Sequence, residues 1–124
     1  MNIFASKTVL PGLLFLFTIG SGFWLSHSGK PLNTVIFTIH KLIALATVIF
    51  TVSLIYGLLK NVDPKAAMLT LMVVSGLLVV LLFVTGALLS IGKPANTLVL
   101  ATHRIAPYLA VLSIAATMYM LGAI

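Results

Sequence analysis

Four long runs of apolar residues, separated by three short polar breaks, organise this chain. They extend from about Thr8 to Leu25, Thr34 to Leu59, Pro64 to Ser90 and Thr97 to Ile124. Each approaches or exceeds the roughly 20 residues that an α-helix needs to cross a bilayer core. The breaks are His27–Asn33, Lys60–Asp63 and Ile91–Asn96. Connections this short make successive helices antiparallel neighbours. The pattern predicts an all-α membrane protein, a four-helix transmembrane bundle made of two tandem helical hairpins, as one transmembrane domain over residues 1–124. The breaks also carry helix-start chemistry. Asn33 and Asn96 are expected to accept hydrogen bonds from the open amides of helices 2 and 4. Asp63 is expected to do so for helix 3, with Pro64 at its first position, where proline loses no bond. Pro31 and Pro94 keep the loops before helices 2 and 4 extended. Lys7 followed by an apolar run has the outline of a secretory signal. The run is long, however, lacks a small-x-small cleavage site and matches helix 3, so it is read as a retained helix.

Composition sharpens this picture. Hydrophobic residues make up 61% of the 124 residues and charged residues 6%, against about 25% charged in a soluble domain. There is no cysteine, which excludes disulfides, c-type haem attachment, thiolate metal sites and iron–sulfur clusters. The net charge of +6 is spread along the chain. Lysine and arginine in a membrane protein mark helix ends and headgroups. With no basic stripe, nucleic acid is not a partner; the lipid bilayer is.

The strongest signal is an internal repeat, in which residues 8–62 recur approximately as 72–124. Gly29-Lys30-Pro31-Leu32-Asn33-Thr34 returns as Gly92-Lys93-Pro94-Ala95-Asn96-Thr97, an offset of 63. The same offset carries His40 onto His103, Lys41 onto Arg104 and Tyr56 onto Tyr119. In the preceding helices the offset is 64, and it pairs Gly12-Leu13-Leu14 with Gly76-Leu77-Leu78, Gly22 with Gly86, and Leu25-Ser26 with Leu89-Ser90. Two hairpins that enter the membrane in the same direction are related by a pseudo-twofold axis along its normal. His40 and His103 then lie at one depth, about seven residues or roughly 10 Å into their helices. With helices 2 and 4 diagonal in a bundle, the two imidazoles are expected to face each other.

Ionisable side chains inside membrane helices are rare and usually functional. Histidine serves as a metal ligand, a haem ligand or a proton relay. A closed zinc site needs about four ligands, and no cysteine or intramembrane carboxylate completes one; the only acidic residue is Asp63. A proton relay lacks acidic partners for the same reason. Haem iron needs only two axial nitrogens, so His40 and His103 are the expected ligands of the iron of one b-type haem. Lys41 and Arg104 snorkel back toward the surface where helices 2 and 4 begin, the side on which propionates would be met, and Lys30 and Lys93 add cations there. Gly22 and Gly86 fall near the histidine depth and permit close approach to a ligand. Pro107 lies four residues after His103, where it removes an amide and predicts a kink; Ala44 takes this place in the first copy.

Each residue also has a plainer use. Gly22 and Gly86 suit helix packing. Lys41, Arg104, Lys30 and Lys93 suit headgroups. Trp24, Tyr56 and Tyr119 suit an interfacial aromatic belt. His27 has no counterpart in the second copy and reads as a solvated loop residue. The plain use of His40 and His103 is a polar contact between helices.

On His40-Lys41, His103-Arg104, Gly22 and Gly86, the chain resembles the membrane b-type cytochromes, which hold haem between two histidines in a four-helix bundle. The resemblance implies one-electron transfer with a quinone or a redox protein as partner. Several families of that class carry four histidines and two haems. Here a single intramembrane pair is present, and one haem near one surface is poorly placed to span a core of about 30 Å. The expectation is therefore an electron carrier working at one surface or as a subunit of a larger complex. The alternatives are a cofactor-free membrane anchor or assembly subunit, and a small transporter, which lacks the acidic residues it would use. Nothing resembles a nucleotide-binding loop, a catalytic triad or a flavin site, so a stand-alone enzyme has little basis. Counting cations in loops and termini, Lys7, Lys60 and Lys65 on one side outnumber Lys30 and Lys93 on the other. The positive-inside rule then puts both termini in the cytoplasm, in a cell (inner) membrane; counting Lys41 and Arg104 as well reverses the orientation.

Overall fold

The computed structural model describes residues 3–27, 34–91 and 97–122, with side chains from residue 9 onward. Lys30, Pro31, Asn33, Lys93, Pro94, Asn96 and the side chain of Lys7 lie outside the described residues. The elements are α1 (Ile3–His27), α2 (Thr34–Leu59), α3 (Ala66–Ser90) and α4 (Thr97–Met120). All four are long and apolar enough to cross a membrane. At 1.5 Å per residue they measure roughly 36 to 39 Å, longer than the bilayer core. The chain is an all-α integral membrane protein. It falls into two compact units that meet in sequence between Val62 and Asp63, and each is described by itself. The first is the hairpin of α1 on α2, the second that of α3 on α4.

Four element ends differ from the sequence reading: α1 begins at Ile3 rather than near Thr8, and the other three differ for local reasons. Helix α3 begins at Ala66 rather than at Pro64, and Lys65, not Asp63, is its N-cap; Lys65 is extended (φ −77°, ψ 161°) and makes no side-chain cap hydrogen bond. The extended backbone of Lys65 puts the helix start two residues beyond Pro64. Helix α4 stops at Met120 rather than running to Ile124 because Gly122 turns to φ 77°. The Leu121 and Gly122 amides then bond back to the Thr117 and Tyr119 carbonyls at 3.0 and 3.1 Å, a glycine-terminated helix end. His27 is no loop residue. It is the last residue of α1, and its Nδ1 donates to the Phe23 carbonyl one turn back at 2.9 Å. Helix α4 continues through Pro107.

The packing inverts that of a water-soluble protein. Large apolar side chains point outward, among them Leu16, Phe17, Val35, Leu42, Leu77, Leu98 and Leu112. The positions buried inside the hairpins include the small or hydroxylic Thr47, Thr51, Ser75, Thr85, Ala106, Ala110, Ser113 and Thr117. Lipid tails solvate leucine as well as another helix does, so helix contacts in membranes select small residues that let backbones approach. The hydroxyls are accommodated locally. Thr47, Ser75, Ser113 and Thr117 donate to the carbonyls four residues back, at 2.7 to 2.9 Å. Among the described residues no buried side-chain nitrogen or oxygen lacks a partner.

Ala110 is fully enclosed in the second hairpin, whereas its neighbour Leu109 is half exposed. Ala110→Leu is therefore expected to force the helices apart and destabilise the hairpin by about 1–3 kcal/mol. Leu109→Ala should stay within about 0.5 kcal/mol of the parent. Unfolding of the full chain by SDS titration from mild detergent measures both; equal effects would contradict this packing.

Candidate functional site

Each hairpin builds the same small constellation. In the first, α1 contributes Ser21 and Gly22, and α2 contributes His40. Ser21 Oγ lies 2.8 Å from His40 Nδ1. A Cβ placed on Gly22 would come within 3.2 Å of His40 Cε1, so the imidazole edge fills the space that a side chain would take. In the second hairpin, α3 contributes Thr85 and Gly86, and α4 contributes His103. Thr85 Oγ1 lies 2.8 Å from His103 Nδ1, and a Cβ on Gly86 would likewise meet His103 Cε1 at 3.2 Å. A hydroxyl grips one ring nitrogen and a glycine receives the adjacent carbon. Together they form a seat for the imidazole that fixes its position and its rotation.

The local sequence makes the seat. Ser21-Gly22 and Thr85-Gly86 are consecutive on a helix, so hydroxyl and gap sit about 100° apart around the axis and 1.5 Å apart along it. An imidazole arriving from the partner helix can then meet both. Interhelical side-chain hydrogen bonds of this kind stabilise membrane bundles by about 0.6–2 kcal/mol. Ser21 and Thr85 were not among the expected site residues. Their signal lies in the repeat itself, since the offset of 64 that pairs Gly22 with Gly86 also pairs Ser21 with Thr85.

The structure thus joins Gly22 to His40 and Gly86 to His103. It gives the glycines a contact with the imidazole itself, a role that the sequence did not spell out. Lys41 is exposed, and its Nζ lies 4.4 Å from the Phe37 ring centroid. Phe37 is four residues earlier, so the lysine does reach back toward the N-terminal end of α2. Arg104 is also exposed. Lys30 and Lys93 lie outside the described residues. Trp24, Tyr56 and Tyr119 are exposed, and Lys60 Nζ lies 5.1 Å from the Tyr56 ring centroid.

The seats are not identical beyond their first contacts. One turn before Ser21, the Thr18 hydroxyl lies 3.1 Å from that of Thr47. The repeat puts Leu82 and Ala110 at these places in the second hairpin. The Thr18–Thr47 hydroxyl contact therefore has no counterpart at the matching positions of the second hairpin. Among the described residues no three His, Cys, Asp or Glu side chains gather into a group that could hold a metal ion.

These features define a class in physical terms: an integral membrane protein of four apolar helices with one histidine seat in each of two repeated hairpins. No family model, curated protein or solved structure matches the chain.

Proposed function

We propose that the chain is a haem-binding membrane protein in which His40 and His103 are the axial ligands of one b-type haem, serving one-electron transfer. The observation that supports this reading is the repetition of the seat. Two hairpins that differ at most positions keep the same hydroxyl–imidazole–glycine arrangement, with Nδ1 engaged at 2.8 Å in both. Metal-bound histidines characteristically have their second nitrogen held by a hydrogen bond. The donor set fits this cofactor, because two imidazoles with no thiolate or carboxylate match the axial needs of a porphyrin iron. When bound, haem supplies a one-electron couple. His40 and His103 would hold the iron, Gly22 and Gly86 make room for the rings, and Lys41, Arg104, Lys30 and Lys93 supply cations for the propionates. If both imidazoles held the iron, substrate binding there would be disfavoured, and the chain would pass single electrons to a quinone or a redox protein, alone or as a subunit of a larger complex. The proposed location is the cell (inner) membrane with both termini in the cytoplasm.

A second reading is favoured by one observation. Each imidazole already has a hydroxyl partner within its own hairpin, which is what a cofactor-free anchor or assembly subunit would use to clasp two helices.

The absorption spectrum of the full chain purified in detergent, oxidised and then reduced, separates the two. Low-spin b-type bands are expected. A colourless protein that stays colourless after haem is added would overturn the haem reading and leave the clasp.

A further inference from the structure

We infer that Ser21 and Thr85 are positioning residues that hold His40 and His103 in the Nδ1–H tautomer, so that Nε2 of each ring carries the lone pair. A hydroxyl has one proton to give and two lone pairs to offer. Ser21 Oγ lies 3.0 Å from the Thr18 carbonyl. Thr85 Oγ1 lies 2.8 Å from the Leu81 carbonyl and 3.2 Å from that of Leu82. Carbonyls only accept. A hydroxyl that gives its proton to its own helix has only lone pairs left for the imidazole. The proton between Oγ and Nδ1 must then come from Nδ1, and a neutral imidazole has no second one for Nε2.

The reverse assignment is disfavoured by the same distances. If Thr85 donated to Nδ1, its oxygen would sit 2.8 Å from the Leu81 carbonyl oxygen with no proton between two electron-rich atoms. The habit of this chain points the same way. The hydroxyls of Thr38, Thr70, Ser75, Thr102 and Thr117 all donate to the carbonyl four residues back, the usual behaviour of helical serine and threonine. The repeat also shows which part of the side chain matters. Ser21 and Thr85 share a hydroxyl and not a methyl. The imidazole edge also fills the space of the missing side chain, since a Cβ built on Gly22 or Gly86 would meet Cε1 at 3.2 Å; this completes the constraint by fixing the ring's rotation, so the lone pair has a set direction as well as a set atom.

A lone pair on Nε2 is what a Lewis-acidic metal centre binds, and an Nδ1–H bond to an oxygen raises the basicity of that ligand. This use of the tautomer rests on the haem reading; the tautomer itself does not. The test is long-range proton–nitrogen NMR of the full chain, labelled with 15N-histidine and kept free of haem in detergent at alkaline pH. His27→Gln removes the third histidine signal, and Ser21→Ala and Thr85→Ala assign the other two. The expected result is a protonated Nδ1 and an unprotonated Nε2 on both rings. Ser21→Ala is expected to shift His40 toward a mixture with the Nε2–H form, while Ser21→Thr keeps the parent pattern. Thr85→Ala and Thr85→Ser should do the same for His103. A dominant Nε2–H form at either ring in the parent overturns the inference, as does a tautomer that ignores Ser21→Ala. If an alanine variant fails to fold, the parent and the Ser–Thr exchanges still decide. Added haem separates the two claims: an Nδ1–H pattern in a protein that takes up no haem sustains the positioning role and defeats the haem reading. In protein that does take it up, Ser21→Ala should raise the midpoint potential and Ser21→Thr restore it, because weaker ligand basicity disfavours the ferric state.

Discussion

On the proposed haem reading, His40→Ala and His103→Ala should each convert a low-spin haem spectrum to a high-spin one or remove the haem altogether. The expectation follows from the number of donors. On the haem reading the two imidazoles are the proposed ligands, and either loss would leave the iron with one of them. Losing a supporting hydrogen bond to a metal ligand typically costs 10–100-fold in affinity, and losing the ligand itself should exceed that. The two variants need not be equal. The Thr18–Thr47 contact at 3.1 Å extends the polar surroundings of His40, while His103 has Leu82 and Ala110 at the matching places. Haem retained on passage through detergent, with reduced and oxidised spectra, measures both. Unchanged low-spin bands in either variant would remove that histidine from the iron. Under the clasp reading both variants weaken the hairpins and have no spectrum to change.

Gly22→Leu and Gly86→Leu should be nearly as damaging, although neither glycine carries any chemistry. A Cβ alone would meet the imidazole at 3.2 Å in both hairpins. Alanine thus asks the ring to yield by a few tenths of an ångström, a strain that the better helix propensity of alanine, about 1 kcal/mol, largely offsets. Leucine fills the volume that the ring occupies. The imidazole must leave its hydroxyl, or the two helices must separate, and overpacking of this kind costs about 1–3 kcal/mol. The expected order is parent close to alanine, then a large fall for leucine, in resistance to SDS unfolding and, on the haem reading, in haem retention. Gly12→Leu is the control, since nothing lies within 4 Å of a Cβ there. If leucine at position 22 or 86 behaves like leucine at position 12, the seat is not packed as described.

Much of this protein was legible without coordinates, for reasons that can be named. A membrane tolerates only backbone that satisfies itself, so long apolar runs fix four helices, and the short polar breaks fix the hairpins. Helix α2 has the bounds expected from its apolar run, Thr34–Leu59. The helix ends were less legible where one residue's dihedrals decide. The extended Lys65 and the positive φ of Gly122 moved the ends of α3 and α4, and neither angle is written in hydropathy. The repeat singled out His40, His103, Gly22 and Gly86 because two copies kept them in step.

What the sequence determined by itself is the class of fold and the identity of the paired histidines, since both follow from one-dimensional patterns: hydropathy along the chain and coincidence between copies. Tertiary structure decided which atoms those histidines meet. Ser21 and Thr85 look like any small polar residues in a membrane helix until α2 and α4 bring a ring nitrogen to within 2.8 Å of them. The glycines look like packing residues until the imidazole edge occupies their missing side chains. Such contacts depend on the rotation of one helix about its axis against another, and that rotation is set by the sum of small packing terms along the whole hairpin.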